Sequence, residues 1–229
     1  MVSVGVSWAQ SIKVTPNGTK PTTITCTGST PTASPTTGVT ITGNVVKIDV
    51  SVTTEVMIST PMVTGFTVDG NFDKVEVDGQ SLATSLSFAP NNYCQDLTVS
   101  GSGFKTLTLT GLGLETLTVT GATNLETLNA SDNHLTNISS LLATTLKDLN
   151  LSKNNLSGIK DFSSLTSLKT LNVSENQLTD GLKIPSGLTS LDVSKNNIQG
   201  TIANAPTNTK YDTQIIDGSS ITSVIANKG

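Results

Sequence analysis

One phrase, in which alternating leucines precede an asparagine, occurs four times and constrains the fold of this chain more than any other feature. Its form is L-x-x-L-x-(L/V/A)-x-x-N-x-(L/I), and its occurrences begin at Leu125, Leu146, Leu168 and Leu188. The second leucines of successive phrases are 21, 22 and 20 residues apart. A pattern that returns at this period predicts a solenoid of stacked coils.

The alternation in each phrase places the apolar side chains on one face of a short strand. Stacking such strands about 4.8 Å apart buries that face and pairs the backbone between coils. The asparagine after each strand lies where the chain turns inward, and its amide can serve both donors and acceptors of the turn. We therefore predict a structural ladder made of Asn71, Asn91, Asn133, Asn154, Asn176 and Asn196.

Residues 125–198 resemble the short leucine-rich repeats, about 20–22 residues long, of bacterial surface proteins of the internalin type. The resemblance implies a right-handed α/β repeat solenoid, mostly β, whose convex side is 3₁₀ or irregular chain. Apolar residues at every third position agree with a convex side of 3₁₀ turns. They are Leu156, Ile159, Phe162, Leu165 and Leu168.

The repeat can be carried towards the N-terminus in steps of 20–22 residues, through phrases that begin at Leu107, Leu86, Phe66, Val46 and Ile24. A second apolar phrase stands midway through four of these coils, which predicts strands on both faces and β-helix-like coils. These second phrases begin at Val56, Val75, Leu97 and Leu117. The predicted organisation is a cap strand at 1–22, a solenoid of about nine coils at 23–200 and a C-terminal cap at 201–229.

The outward positions of the predicted strands form the natural binding surface of such a solenoid. The candidate partner-binding residues are Thr106, Thr108, Thr127, Asn129, Asp148, Asn150, Thr170, Asn172, Ser190 and Asp192. They are small and polar, without the aromatic or arginine anchors of tight interfaces. A solvated face and a face for weak or repetitive binding, for example to a glycan, both fit. Beside it lies a row of alternating charge, predicted to pair: Asp132, Lys153, Glu175 and Lys195.

The composition disfavours several partners. All thirteen basic residues are lysine and the net charge is −4, which argues against nucleic acid and anionic membranes. No run of 18 apolar residues exists that could span a membrane. Residues 1–8 lack the basic and apolar regions of a signal peptide, so either a signal was removed or the protein is not exported by that route. Cys26 and Cys94 are predicted to be buried and unpaired.

Catalysis and metal binding find little support in the sequence. His134 is the only histidine, and no acidic dyad, nucleophile motif or phosphate loop accompanies it. The segment 69–73 resembles the opening of a calcium loop, but Lys74 and Gln80 stand where that loop needs glycine and glutamate. Threonine ranks at 106–110 and 116–120 suggest ice binding only as a minor alternative, because they do not persist over many coils. We predict no enzyme activity, no cofactor and no metal.

The sequence therefore predicts a non-enzymatic interaction module of the leucine-rich repeat type, secreted or displayed on a cell surface, with a protein or glycan partner. The alternative is a structural or adhesive component of a larger assembly, such as a fibre or a virion. The hydroxyl-rich, arginine-free composition favours this alternative.

Overall fold

The computed structural model describes residues 10–137, 145–158, 160–198, 202 and 205. Within these residues the chain forms strands and turns without a helix, and the predicted solenoid fold is confirmed. The predicted C-terminal cap lies outside the described residues, apart from Ile202 and Ala205. The strands are β1 (Gln10–Pro16), β2 (Thr22–Thr27), β3 (Thr32–Ser34), β4 (Val39–Thr42), β5 (Val45–Ile48), β6 (Val56–Thr60), β7 (Gly65–Asp69), β8 (Asn71–Asp78), β9 (Ser85–Phe88), β10 (Tyr93–Ser100), β11 (Thr106–Thr108), β12 (Thr116–Thr120), β13 (Thr127–Asn129), β14 (Asp148–Asn150), β15 (Ser157–Gly158), β16 (Thr170–Asn172), β17 (Gln177–Leu178) and β18 (Ser190–Asp192).

The chain divides into two compact units. The first comprises Met1–Lys105 and Thr118–Asn124, and the second comprises Thr106–Leu117 and Leu125–Gly229. Two sheets build the first unit, one in the order β12-β10-β8-β1-β6-β3 and the other in the order β4-β5-β2-β7-β9. In most of their strands buried residues alternate with more exposed ones, as in β1, where Ile12 and Val14 are 0% and 1% exposed. The edge strands β3 and β4 contain no buried residue.

Strand direction in the first unit corrects part of the predicted repeat. Ile24 lies opposite Val46 on one side and Val68 on the other, and both pairings are antiparallel. Successive coils of a solenoid pair in parallel, so the phrases at Ile24 and Val46 are not coils, and the predicted series of about nine coils is shorter at its N-terminal end. Alternation of apolar residues specifies a strand with one buried face, but it does not specify the direction of the neighbouring strand.

Parallel stacking in the first unit begins with the phrase at Phe66. Strand β7 pairs in parallel with β9, and β8 pairs in parallel with β10. The phrases at Val75 and Leu97 therefore form the second strands of their coils, as predicted. Strand β1 pairs with β6 and β8 on its two sides within this chain. Residues 1–9, which were predicted to begin the cap strand, lie outside the described residues.

The second unit contains a five-stranded parallel sheet in the order β11-β13-β14-β16-β18, which we call the repeat sheet. The leucine at the centre of each strand lies opposite the leucine of the next coil, and all five are at most 2% exposed. Burial of each leucine side chain contributes about 1.5–3 kcal/mol, so this column holds the coils together. The column consists of Leu107, Leu128, Leu149, Leu171 and Leu191.

The other side of the repeat coils is short and irregular. Strands β15 and β17 pair over only two residues each. Between them the chain turns at intervals of three residues, because Leu165 N–H donates to the Phe162 carbonyl at 3.0 Å and Leu168 N–H donates to the Leu165 carbonyl at 2.9 Å. Ile159, part of the predicted spacing, lies outside the described residues.

Both cysteines are free and buried, in agreement with the sequence analysis. Burial disfavours the thiolate and raises the pKa of Cys26 to about 11 and that of Cys94 to about 12. Since the thiolate is the reactive form, we expect iodoacetamide at pH 8 to leave both residues unmodified in the folded protein and to alkylate both in denaturant. Mass spectrometry of the intact chain measures this, and rapid alkylation without denaturant would contradict it.

Candidate binding face

The repeat sheet aligns the predicted outward residues in straight rows across the strands. One residue from each strand forms the first row, in which each member lies opposite its counterpart in the next coil. Two members are exposed and the other three are half-buried. The first row consists of Thr106, Thr127, Asp148, Thr170 and Ser190.

The second row lies two residues further along each strand. Most of its side chains accept a hydrogen bond from a backbone N–H of the same coil. The Asn150 Oδ1 accepts the Ser152 N–H at 3.0 Å and the Ser152 hydroxyl at 2.8 Å. The Asn172 Oδ1 accepts the same two groups of Ser174, at 3.0 and 2.7 Å. These side chains hold the turn that ends each strand, and the N-x-S spacing was the sequence signal for this role. The second row consists of Thr108, Asn129, Asn150, Asn172 and Asp192.

Two further second-row side chains also accept the backbone N–H of the serine two residues further on. The Asn129 Oδ1 accepts the Ser131 N–H at 3.1 Å, and the Asp192 Oδ1 accepts the Ser194 N–H at 3.1 Å. Thr108 is exposed. Beyond this row, Ser131 is already buried, so the surface open to a partner narrows to the first row and the exposed edge of the second.

The electrostatics of the first row centre on Asp148, an exposed carboxylate on the middle strand β14. The neighbouring Lys147 ammonium lies 3.0 Å from the Glu126 carboxylate, and the Lys169 ammonium donates to the Gly187 carbonyl at 3.2 Å. Both lysines are thus held by other groups, and no ion pair to Asp148 occurs among the described residues. The first row therefore presents hydroxyl groups around one negative charge.

The asparagine ladder supports this face from beneath. The Asn154 Nδ2 donates to the carbonyls of Ala130, Leu151 and Ser152 at 3.0, 3.1 and 3.2 Å, and its Oδ1 accepts the Leu135 N–H at 3.0 Å. Equivalent bonds recur in the other coils, so each amide joins its own turn to that of the preceding coil. The residues that make these bonds are Asn133, Asn154, Asn176 and Asn196.

Towards the N-terminus the ladder position differs from the predicted one by a single residue. Asn91 is exposed, whereas Asn92 is 5% exposed and donates to the Val68 carbonyl at 2.8 Å. The Asn92 Oδ1 also accepts the Gly70 N–H at 3.2 Å. Asn71 is not a ladder residue, because it begins β8 and donates to the Thr19 hydroxyl at 2.9 Å.

The charged row that was predicted to pair has a different common property. Its four residues have positive φ angles between 54° and 59°, and each immediately precedes a ladder asparagine. Asn91, with φ of 60°, precedes Asn92 in the same way. Within the row, the Lys195 ammonium lies 3.2 Å from the Glu175 carboxylate, with exposed fractions of 58% and 37%, so the pair contributes little. The row consists of Asp132, Lys153, Glu175 and Lys195.

The segment that resembles a calcium loop is occupied by other contacts. The Asp69 carboxylate lies 3.3 Å from the Lys20 ammonium, and the Asn71 Oδ1 accepts the Tyr93 N–H at 3.1 Å. In the described part of the chain, no three histidine, cysteine, aspartate or glutamate side chains gather as metal ligands would. The same residues include no helix with the length and hydropathy of a membrane span.

Comparison with family models supports a leucine-rich repeat protein. Residues 143–159, 164–181 and 188–205 match a model described as Leucine Rich repeat, and residues 124–144 match a second model described as Leucine Rich Repeat. These matches cover the coils that carry β13, β14, β16 and β18. No curated protein matches the chain.

Among solved structures, the chain is similar to the leucine-rich repeat ectodomain of the plant membrane receptor kinase GASSHO1/SCHENGEN3 from Arabidopsis thaliana, in complex with CASPARIAN STRIP INTEGRITY FACTOR 2. The two are 20% identical, with a TM-score of 0.34. The alignment covers 57% of this chain and 24% of the ectodomain, so the chain spans about a quarter of that structure's length.

Proposed function

We propose that the chain is a non-enzymatic binding module of the leucine-rich repeat type, and that a protein partner binds the first row of the repeat sheet. The observation that carries this proposal is the alignment of five outward side chains across five parallel strands. A row of this kind presents evenly spaced hydroxyl groups, and Asp148 adds a charge at its centre. Repeat solenoids provide extended surfaces for partners in this way.

The chemistry of the face favours a partner that is neutral or basic where it meets the first row. Asp148 repels phosphate groups, and the chain has a net charge of −4 without arginine. An extended protein segment can offer backbone amides and lysine or arginine side chains to these hydroxyl and carboxylate groups. We further propose that the protein is secreted or surface-displayed, because its repeats resemble those of bacterial surface proteins of the internalin type.

The structure sharpens the choice of test residues. Substitutions at Asn150 or Asn172 would disturb the turns that these side chains hold, so a loss of binding there would be ambiguous. Thr170 belongs to the first row, whereas Thr166 of the same coil is exposed outside the repeat sheet. The pair Thr170→Trp and Thr166→Trp therefore provides a matched variant and control.

Ligands selected from a displayed peptide library should lose at least about tenfold in affinity for Thr170→Trp and for Asp148→Lys. The same ligands should bind Thr166→Trp as they bind the parent chain. Calorimetric titration of each variant measures the affinities, and melting temperatures verify that the variants fold. Equal affinities for Thr170→Trp and Thr166→Trp would exclude the first row as the binding surface.

A second candidate function is a structural or adhesive part of a larger assembly, such as a fibre. It is favoured by the composition, since the sequence combines thirteen lysines and no arginine with many serine and threonine residues. Mass measurement in solution separates the two functions. A monomer supports the free binding module, and a stable trimer or filament supports the assembly component.

A further inference from the structure

A groove of about 770 Å³ lies in the first unit, at the carboxyl ends of the neighbouring parallel strands β8 and β10. The residues that follow these two strands form its walls. Gln10 of β1 also lines it. The other lining side chains combine one carboxylate, one amide, three hydroxyl groups and one leucine. They are Asp78, Gln80, Ser81, Leu82, Ser100 and Ser102.

The Asp78 carboxylate is held in a defined orientation within the groove. The Gln80 amide donates to its Oδ2 at 2.6 Å, and the Gln80 backbone N–H donates to its Oδ1 at 3.3 Å. The Ser100 hydroxyl shares its hydrogen between the same Oδ1, at 3.4 Å, and the Val77 carbonyl, at 3.2 Å. Since a carboxylate has about four acceptor positions and three are used here, Asp78 retains capacity for one hydroxyl donor of a ligand, at its Oδ2.

Gln80 adopts a backbone conformation that glutamine rarely takes, with φ of +48°. This conformation places its side chain beside Asp78, two residues earlier. Strained residues of this kind cluster at ligand sites, where the surrounding contacts hold them. The two hydrogen bonds from Gln80 to Asp78 supply such contacts here.

The residues that line the groove disfavour the binding of anions and favour the binding of neutral polyhydroxyl molecules. No lysine is among the described residues that line it, and Asp78 contributes a negative charge. Leu82, which is 45% exposed, offers an apolar surface to the C–H face of a sugar ring. The volume lies within the range of about 300–1,000 Å³ that small-molecule sites occupy.

We propose that this groove binds a neutral oligosaccharide, with Asp78 and Gln80 bonding its hydroxyl groups and Leu82 packing against a ring.

The proposal is independent of the protein-binding function and is tested on the full chain. An array of neutral oligosaccharides, with sialylated and uronate glycans as anionic controls, identifies the bound class. Titration with the best neutral oligosaccharide then compares four variants. Ser81→Trp fills the groove from an exposed position, and Asp78→Ala removes the acceptor. Asp73→Ala alters an exposed carboxylate of β8 that does not line the groove, and Thr170→Trp alters the repeat sheet.

We expect neutral glycans to bind and both groove variants to lose at least about tenfold in affinity, while Asp73→Ala and Thr170→Trp bind normally. Because Asp78→Ala also frees the strained Gln80 turn, Ser81→Trp decides the outcome if Asp78→Ala fails to fold. The proposal is overturned if no neutral oligosaccharide binds, or if binding survives in Ser81→Trp. Spermidine serves as an amine probe. If spermidine binds, no neutral oligosaccharide binds, and Asp78→Asn abolishes spermidine binding, the groove is an amine site and the proposal is overturned as well.

Discussion

Replacement of Asn154 by alanine is expected to lower the free energy of unfolding by about 2–4 kcal/mol. The side chain is 5% exposed and makes four hydrogen bonds to the backbone of two coils. Its loss leaves the N–H of the fully buried Leu135 without the oxygen it donates to. The carbonyls of Ala130 and Leu151 keep one amide donor each, from Asn133 and Asn176, which limits the loss.

The adjacent Asn155 provides the matched control. It is exposed, and its backbone N–H donates to the Leu135 carbonyl at 2.9 Å, a bond that alanine preserves. We expect Asn155→Ala to change the free energy of unfolding by less than about 0.5 kcal/mol. Urea denaturation of both variants, followed by circular dichroism, measures the difference. Similar midpoints for the two variants would mean that the ladder does not support the coils.

The second large effect is expected at Asn92, where alanine should lower the free energy of unfolding by about 2–3 kcal/mol. The substitution leaves the N–H of the buried Gly70 without its acceptor and removes the bond to the Val68 carbonyl. It also removes the 2.8 Å bond that the Asn92 Oδ1 accepts from the Lys20 ammonium.

Asn91→Gly is the control for this site, because Asn91 is exposed and its φ of 60° suits glycine. We expect its free energy of unfolding to stay within about 0.5 kcal/mol of the parent value. Thermal and urea unfolding compare the two variants. A larger loss in Asn91→Gly than in Asn92→Ala would restore the register predicted from sequence and contradict the structural one.

The sequence predicted the register of the repeat sheet because two independent signals agree there. The spacing of 20–22 residues places each strand leucine over the next, and the asparagine three residues after the strand fixes the turn. The rows that pair in the structure are therefore the rows that were read from the repeats, from Thr106 to Ser190 and from Thr108 to Asp192.

The same spacing could not decide whether Asn91 or Asn92 is the ladder residue, because a step that varies between 20 and 22 residues admits either position. A finer signal was present. In the regular coils an apolar residue stands two positions after the ladder asparagine, as Leu135 does after Asn133. Asn92 stands two positions before the fully buried Cys94, whereas Asn91 stands two positions before Tyr93, which is half-buried. Asparagine also tolerates the left-handed conformation that Asn91 adopts.

The prediction that the phrases at Ile24 and Val46 form coils was wrong for a different reason. Both form strands with a buried apolar face, as their alternation predicted. Their separation of about one repeat length is also compatible with a return connection in an antiparallel sheet, and nothing in the alternation distinguishes the two directions. Both phrases lack the asparagine that follows the strands of the coils from Leu125 onward. The Leu107 phrase lacks it too and still pairs in parallel, so its absence does not distinguish the two directions.

The ten outward residues of the candidate binding face were predicted to be equivalent, and the structure makes their two rows unequal. The alternation along a strand predicts which side chains point outward. It does not predict which of them are already hydrogen-bonded to neighbouring residues of the same coil. The Asn150 and Asn172 side chains bond to serines two residues further on, which removes their oxygens from recognition. The hydroxyl and carboxylate groups of the first row are left as the surface that a partner can contact.

Photo-crosslinking tests this central proposal most directly. Benzoylphenylalanine is placed at Thr127, at Thr170 or, as the control, at the exposed Thr166, and each chain is irradiated with a peptide ligand selected on the parent protein. The account predicts that the ligand is cross-linked from Thr127 and Thr170 and not from Thr166. Cross-linking from Thr166 alone, or with equal yield from all three positions, would contradict it.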